Sequence, residues 1–324
     1  MLTAIEIQKI INQKIESISY PTVPADLYQP IRYVLSLGGK RLRPTLALMA
    51  CNLFSDEVEP AIEAALGVEI FHNFTLVHDD IMDNADKRRC QLTVHRKWCD
   101  NVAILSGDTM QIQAYQHLAQ VPALLLPKIL QRFSQTAIEV CEGQQLDMDF
   151  ERKIEVTQEE YLEMIRLKTA VLLAASLQIG AWIGGATDQE AQLLYEFGSS
   201  LGLAFQLQDD LLDVYGDSET FGKNIGGDIV SNKKTFLLIS AMNMATGTLK
   251  DTLFHWLNAD SQQPQDKIQA VTEIYNRLGI KILCERQIAS FHARAFAALD
   301  ALSLPESRKA TLIDYTSSLM QRQT

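Results

Sequence analysis

The chain carries the pattern Asp-Asp-x-x-Asp twice, as Asp79-Asp80-Ile81-Met82-Asp83 and as Asp209-Asp210-Leu211-Leu212-Asp213, 130 residues apart and each inside an otherwise apolar segment. On a helix, residues i and i+4 share a face. Asp79 with Asp83, and Asp209 with Asp213, therefore each present two carboxylates one turn apart, about 6 Å between Cβ atoms. Such pairs repel, and burying them ionised without partners costs several kcal/mol each or raises their pKa values. Any fold built on these segments must bring a cation to the carboxylates. Hard oxygen ligands select Mg²⁺, which is usually held by one or two carboxylates and completes its octahedron with water and phosphate oxygens. The motif thus points to Mg²⁺ as cofactor and to a phosphate-bearing substrate.

The surrounding periodicity is helical. After Ser55-Asp56-Glu57-Val58-Glu59-Pro60, which reads as a helix entry, Ile62, Leu66, Ile70, Phe74, Val77 and Ile81 form an apolar stripe, and His72, Thr75, Asp79 and Asp83 form a polar one beside it. Thr187-Asp188-Gln189-Glu190 is a capping-box pattern opening a second helix of the same design. There Leu194, Phe197, Leu201, Phe205 and Leu212 lie on one side, and Ser199, Gly202, Gln206, Asp209 and Asp213 on another. Thr157-Gln158-Glu159-Glu160 opens a third, which carries Lys168 and Thr169 before Gly180. Period-2 strand patterns are missing. The expectation is an all-α fold, a helical bundle with its ligand site built from side chains on facing helices around a central cavity.

With 324 residues the length prior is about two domains. No Pro/Gly/Ser-rich linker or composition shift divides the chain, however, so residues 1–324 read as a single domain. A net charge of -11 argues against a nucleic-acid binder, which carries basic faces to meet phosphate backbones, so phosphate contacts must be local. The five cysteines show no metal-type spacing and are odd in number, which fits a reducing cytoplasm better than a disulfide framework. No stretch is expected to approach the 18 or so apolar residues of a membrane span, and a soluble protein is expected.

Short cationic clusters offset the carboxylates: Gly38-Gly39-Lys40-Arg41-Leu42-Arg43-Pro44, Lys87-Arg88-Arg89, Lys223, and Lys233-Lys234. Arg offers forks to phosphate oxygens and Lys a point charge, so these are anion grips, numerous enough for more than one diphosphate. Taken with His72, Leu76-Val77-His78 before the first acidic motif, Lys168-Thr169 and Phe205-Gln206-Leu207-Gln208 before the second, they make the chain resemble the trans-prenyl diphosphate synthase family over most of its length.

That resemblance implies a chain-elongating prenyltransferase, in which an allylic diphosphate ionises and isopentenyl diphosphate adds to it. It implies Asp79, Asp83 and Asp209 as Mg²⁺ ligands, with Asp80, Asp210 and Asp213 as accompanying carboxylates of the catalytic motifs. Arg88, Lys168, Thr169, Gln206, Lys223 and Lys233 would hold the allylic diphosphate; Lys40, Arg43, His72 and Arg89 would hold isopentenyl diphosphate. Arg41 and Lys234 read as surface or supporting cations. Phe74 and Thr75, five and four residues before Asp79, occupy the family's product-length positions, and a large residue followed by a small one resembles synthases of the C20 geranylgeranyl product. A C15 farnesyl synthase is the alternative, followed by a terpene cyclase and a noncatalytic partner subunit. A homodimer is implied as well. The chain departs from the family after the Arg pair, where Cys90 and Leu92 stand in place of Gly and Pro of Arg-Arg-Gly-x-Pro-Thr. If that glycine takes positive φ, Cys90 is strained there.

Overall fold

The computed structural model describes residues 2–216, 225–258 and 264–320. They are overwhelmingly helical. In chain order the first elements are α1 (Ala4–Ser17), α2 (Ala25–Ser36), α3 (Leu42–Phe54), α4 (Ile62–Met82), strands β1 (Lys87–Arg88) and β2 (Gln91–Leu92), α5 (Val94–Lys97), α6 (Asp100–Leu118), α7 (Leu126–Arg152), α8 (Gln158–Ile165), α9 (Val171–Gly184) and α10 (Asp188–Tyr215). Further helices follow, including Phe236–Met244, Pro264–Leu278, Ile280–Asp300 and Glu306–Met320. Among the described residues the antiparallel ribbon β1-β2 is the only sheet.

Two compact units are distinguished: Met1–Gln135 with Ala175–Tyr195 and Leu302–Tyr315, and Thr136–Ala174 with Glu196–Ala301 and Thr316–Thr324. Four of the five boundaries fall inside helices, in α7, α9, α10 and Glu306–Met320, which is why no linker marks them in the sequence.

In the first unit α4 packs along α6 and α3. The expected stripe is its buried side: Ile62, Leu66, Ile70, Phe74 and Val77 are buried and Ile81 is half-buried, and Phe71 meets Phe133 edge-on with ring centroids 5.1 Å apart. In the second unit Phe236–Met244 packs on α8 and on the helices Pro264–Leu278 and Ile280–Asp300. Its core includes Tyr161, Met164, Leu207, Leu211, Phe236 and Tyr275.

Local signals act where the sequence placed them. Thr157 Oγ1 accepts from Glu160 N at 3.1 Å while Glu160 Oε2 accepts from Thr157 N at 2.9 Å, and Thr187 with Glu190 repeats the arrangement at 3.3 and 2.8 Å. The run opened by Thr157 is not one α-helix, however. A five-residue π turn, Arg166–Ala170, joins α8 to α9. Contrary to the expectation that no stretch approaches a membrane span, the whole run Gln158–Gly184 is long and apolar enough to cross a membrane by length and composition, and 78% of its most apolar window is buried within the protein.

Candidate active site

The first acidic motif closes α4. Asn84 takes a left-handed conformation with φ 51°, Ala85 N donates to Asp80 O at 2.9 Å and Asn84 N to Ile81 O at 3.1 Å. These two bonds are the Schellman stop, which ends the helix at the motif itself. The second motif lies in the last two turns of α10. Both clusters therefore sit at the negative end of a helix dipole, where a carboxylate is disfavoured by about 0.3–1 kcal/mol and a cation is welcome.

Adjacent helical residues point about 100° apart, so the middle Asp of each motif cannot share the face of the outer pair. Asp80 is buried at 4% exposure and takes a fork from Arg88, whose Nε lies 2.9 and 3.0 Å from its two oxygens and whose Nη2 lies 2.8 Å from Oδ1. Asp210, at 5% exposure, accepts from the Tyr161 hydroxyl and from Gln206 Nε2 at 3.1 Å. Burial, with Asp228 nearby, pushes the Asp210 carboxyl up to about 7, and burial beside Asp210 holds the Tyr161 hydroxyl well above its ordinary value. By contrast Asp79, Asp209 and Asp213 are half-buried and Asp83 is exposed, with Asp213 Oδ2 accepting from Asp228 N at 3.0 Å.

Among the described residues no three His, Cys, Asp or Glu side chains converge as a cage for a metal ion. A pair of hard carboxylates at a helix end suits Mg²⁺, which completes its shell with water and phosphate, better than calcium enclosed by protein oxygens.

The cations of the first unit gather on Gly38–Arg43 and the β1-β2 ribbon. Arg41, expected as a surface or supporting cation, is instead buried, with Nη1 on Glu69 Oε1 at 2.7 Å and Nη2 on Leu35 O at 2.5 Å. Arg43 Nη1 lies 3.1 Å from His72 Nε2. Arg has no acceptor, so that nitrogen accepts and the proton of the neutral ring sits on Nδ1. Burial, then Arg43 and the neighbouring Arg89, Arg88 and Arg41, holds His72 well below its ordinary value and therefore neutral. Burial likewise draws Arg43 down to about 10, against the pull of Glu69, and lowers Arg89.

Arg41 and Arg88 have carboxylate partners; Arg43 and Arg89 make no ion pair among the described residues, and Arg43 Nε is buried without a hydrogen bond. The guanidinium of Arg89 lies on Gly39, where a Cβ would stand 2.7 Å from Arg89 Cζ. The glycine turn and the Arg pair are thus one cationic group, to which the exposed Lys40 is adjacent in sequence.

Arg89 and Cys90 form the two-residue loop of the ribbon, with φ of 52° and 62°. Both central residues of such a loop need positive φ, the reason Asn-Gly is favoured there. Cys90 is therefore in the left-handed region that the departure from the family pattern suggested. Cys90→Gly is expected to raise unfolding stability by about 0.5–1 kcal/mol, the relieved strain of 1–2 kcal/mol less the added freedom of the unfolded chain. Urea unfolding of the two proteins measures it.

In the second unit Lys168 Nζ donates to Asp147 Oδ2 at 2.5 Å and Thr169 Oγ1 to Gln206 Oε1 at 3.3 Å. Lys233 is exposed, whereas Lys234 donates to Phe150 O at 2.7 Å and is a structural cation. Lys223 lies outside the described residues.

Several residues of these networks escaped the sequence reading. Glu69 was detectable as a lone acid in the apolar stretch of α4; Asp147 and Tyr161 gave no signal. Phe74, at 8% exposure, stacks against Phe71 and His78 at centroid distances of 5.4 and 4.8 Å, and Thr75 Oγ1 donates to His72 O at 2.8 Å.

These features coincide with a known family. The polyprenyl synthetase family model matches residues 24–274. A geranylgeranyl diphosphate synthase of Methanosarcina mazei is 42% identical over 255 residues, 78% of each chain. A solved geranylgeranyl pyrophosphate synthase superposes with a TM-score of 0.94 at 42% identity over 100% of both chains. The geranylgeranyl pyrophosphate synthase of Corynebacterium glutamicum, solved with isoprenyl diphosphate and magnesium, gives 0.83 at 27% identity over 99% of this chain and 96% of its own. The chain belongs to the polyprenyl synthetase family. It is a prenyltransferase of the prenyl diphosphate synthase class, as the two acidic motifs and the cationic clusters together led one to expect.

Proposed function

We propose that the protein condenses isopentenyl diphosphate with a C5, C10 or C15 allylic diphosphate to give all-trans C20 geranylgeranyl diphosphate. The observation that carries the reading is the cationic group of Arg43 and Arg89 with neutral His72, held in one unit with a carboxylate pair at the negative end of α4. Lys40, Arg43, His72 and Arg89 bind isopentenyl diphosphate. Neutral His72 keeps Arg43 aimed without adding charge. Lys168, Thr169, Gln206 and Lys233 bind the allylic diphosphate, with Lys223 and with Arg88 steadied by Asp80.

Asp79, Asp83 and Asp209 are the residues that would hold Mg²⁺, which when bound offsets the charge of the leaving diphosphate; the magnesium and isoprenyl diphosphate of the corynebacterial relative support the choice of metal and of substrate class. As the allylic C–O bond breaks, the diphosphate leaves with the electron pair. The isopentenyl double bond then forms the new C–C bond, and a proton passes to the departed diphosphate. Holding two reactants in place and stabilising the departing charge each lower such a barrier by several kcal/mol.

The product assignment rests on Phe74, about 7.5 Å along the helix from Asp79, as a floor beneath the growing chain. Leu105 and Ile112, exposed and seven residues apart on α6, support a homodimer. Four helices continuing across the unit boundaries support reading residues 1–324 as one domain. The thiols Cys51, Cys90, Cys99 and Cys284 support a cytoplasmic location. The test is to incubate the protein with Mg²⁺, labelled isopentenyl diphosphate and each allylic starter in turn, and to size the released alcohols. A single C20 product is expected. A C15 or longer product would overturn the floor assignment, and cyclic hydrocarbons would overturn the chain-elongation reading.

A further inference from the structure

The π turn Arg166–Ala170 carries Lys168 and Thr169, and it is packed from both sides with no clearance. A Cβ on Gly143 of α7 would lie 2.3 Å from Lys168 N and 2.7 Å from Lys168 Cα; one on Gly202 of α10 would lie 2.6 Å from Ala170 Cα and 2.7 Å from its Cβ. All of these residues belong to one unit. Four residues beyond each glycine, on the same helix face, stands a polar side chain that takes hold of the turn. Asp147 accepts from Lys168, and Gln206 accepts from Thr169. The two flanks repeat one device, a glycine that admits the backbone and a polar group one turn on that fixes the adjacent side chain. Isolated π turns are rare and recur at functional sites, where the surroundings hold them.

We propose that Gly143 with Asp147, and Gly202 with Gln206, form two matching clamps that fix the π turn and thereby set the aim of Lys168 and Thr169 on the allylic diphosphate. Gly143, Asp147 and Gly202 are positioning residues: they act through Lys168 and Thr169. The proposal rests on the assignment of those two to the allylic diphosphate. A Cβ at position 143 would push the Lys168 backbone by the best part of an ångström, a displacement that can cost orders of magnitude when it misplaces a group against its substrate. The isopentenyl grip, built from Lys40, Arg43, His72 and Arg89 in the other unit, contains none of these atoms.

Steady-state kinetics with each substrate varied in turn, on the full chain and on Gly143→Ala, Asp147→Asn and Lys168→Ala, test this. Gly143→Ala is expected to raise the allylic KM by about tenfold or more while the isopentenyl KM stays within about twofold. Asp147→Asn adds no atom to the packed turn and decides the matter if Gly143→Ala does not fold; about a fivefold rise in the allylic KM alone is expected. An unchanged or lowered allylic KM in the folded variants, or equal rises for both substrates, would overturn the proposal. An allylic KM unchanged in Lys168→Ala would instead overturn the assignment of Lys168, and with it the purpose of the clamps.

Discussion

Asp79→Ala is expected to lower Mg²⁺-dependent turnover by at least about a thousandfold while leaving the helical circular dichroism of the protein intact. The two halves of that expectation have separate physical origins. Turnover depends on charge placed where a diphosphate departs, and one carboxylate of a pair cannot do the work of two. The fold depends on the opposite side of α4, where Ile62, Leu66, Ile70, Phe74 and Val77 are buried. Removing a negative charge from the negative end of a helix also relieves about 0.3–1 kcal/mol of unfavourable dipole interaction. The control is Asp80→Ala, one residue away. It leaves Arg88 without its fork, and because Arg88 is about a third exposed the stability lost is on the order of 1–2 kcal/mol rather than that of a fully buried pair. Retained turnover in Asp79→Ala across a magnesium titration would sink the assignment of Asp79 as a metal ligand.

The difference between Asp79 and Asp80 also shows where the sequence is transparent and where it is not. Periodicity alone separates the outer carboxylates of each motif from the middle one, because 100° per residue puts them on different faces. What the middle one meets is a tertiary fact. Asp80 finds Arg88 across the end of α4, and Asp210 finds Tyr161 from a segment 49 residues earlier. Likewise the helix start at Thr157 and the capping box at Thr187 are local chemistry and were legible, whereas Arg41 reads as a supporting or surface cation until Glu69, 28 residues on, is seen to hold it inside.

The π turn is a third case. It leaves the apolar pattern of Leu162, Ile165, Val171 and Leu172 intact, so composition carries no trace of it, and the glycines that admit it lie on other helices. The ribbon β1-β2 is too short for any period to declare itself, yet the departure at Cys90 located the strained residue, because positive φ is a demand that the side chain's own identity exposes. Family membership was legible from the ordered set of motifs, each weak by itself.

Phe74→Ala is expected to move the product beyond C20 and to destabilise the fold at the same time. The side chain is nearly fully buried and packs on Phe71 and His78, so its removal costs about 3–5 kcal/mol through lost transfer energy and the cavity left behind. That cavity is the point of the experiment. If Phe74 is the floor that halts elongation, the space it vacates admits further C5 units, and chromatography of the released alcohols shifts to longer chains at temperatures where the variant stays folded. Thr75 cannot replace it as a barrier, since its hydroxyl is turned back onto the carbonyl of His72 and its bulk is small. Phe74→Leu separates the two roles: it restores most of the core volume but not the length of the ring, so stability should recover by more than half while the product remains longer than in the parent. If Phe74→Ala is destabilised and still makes the parent's product, the ring is a core residue alone, and the limit on chain length lies with other side chains.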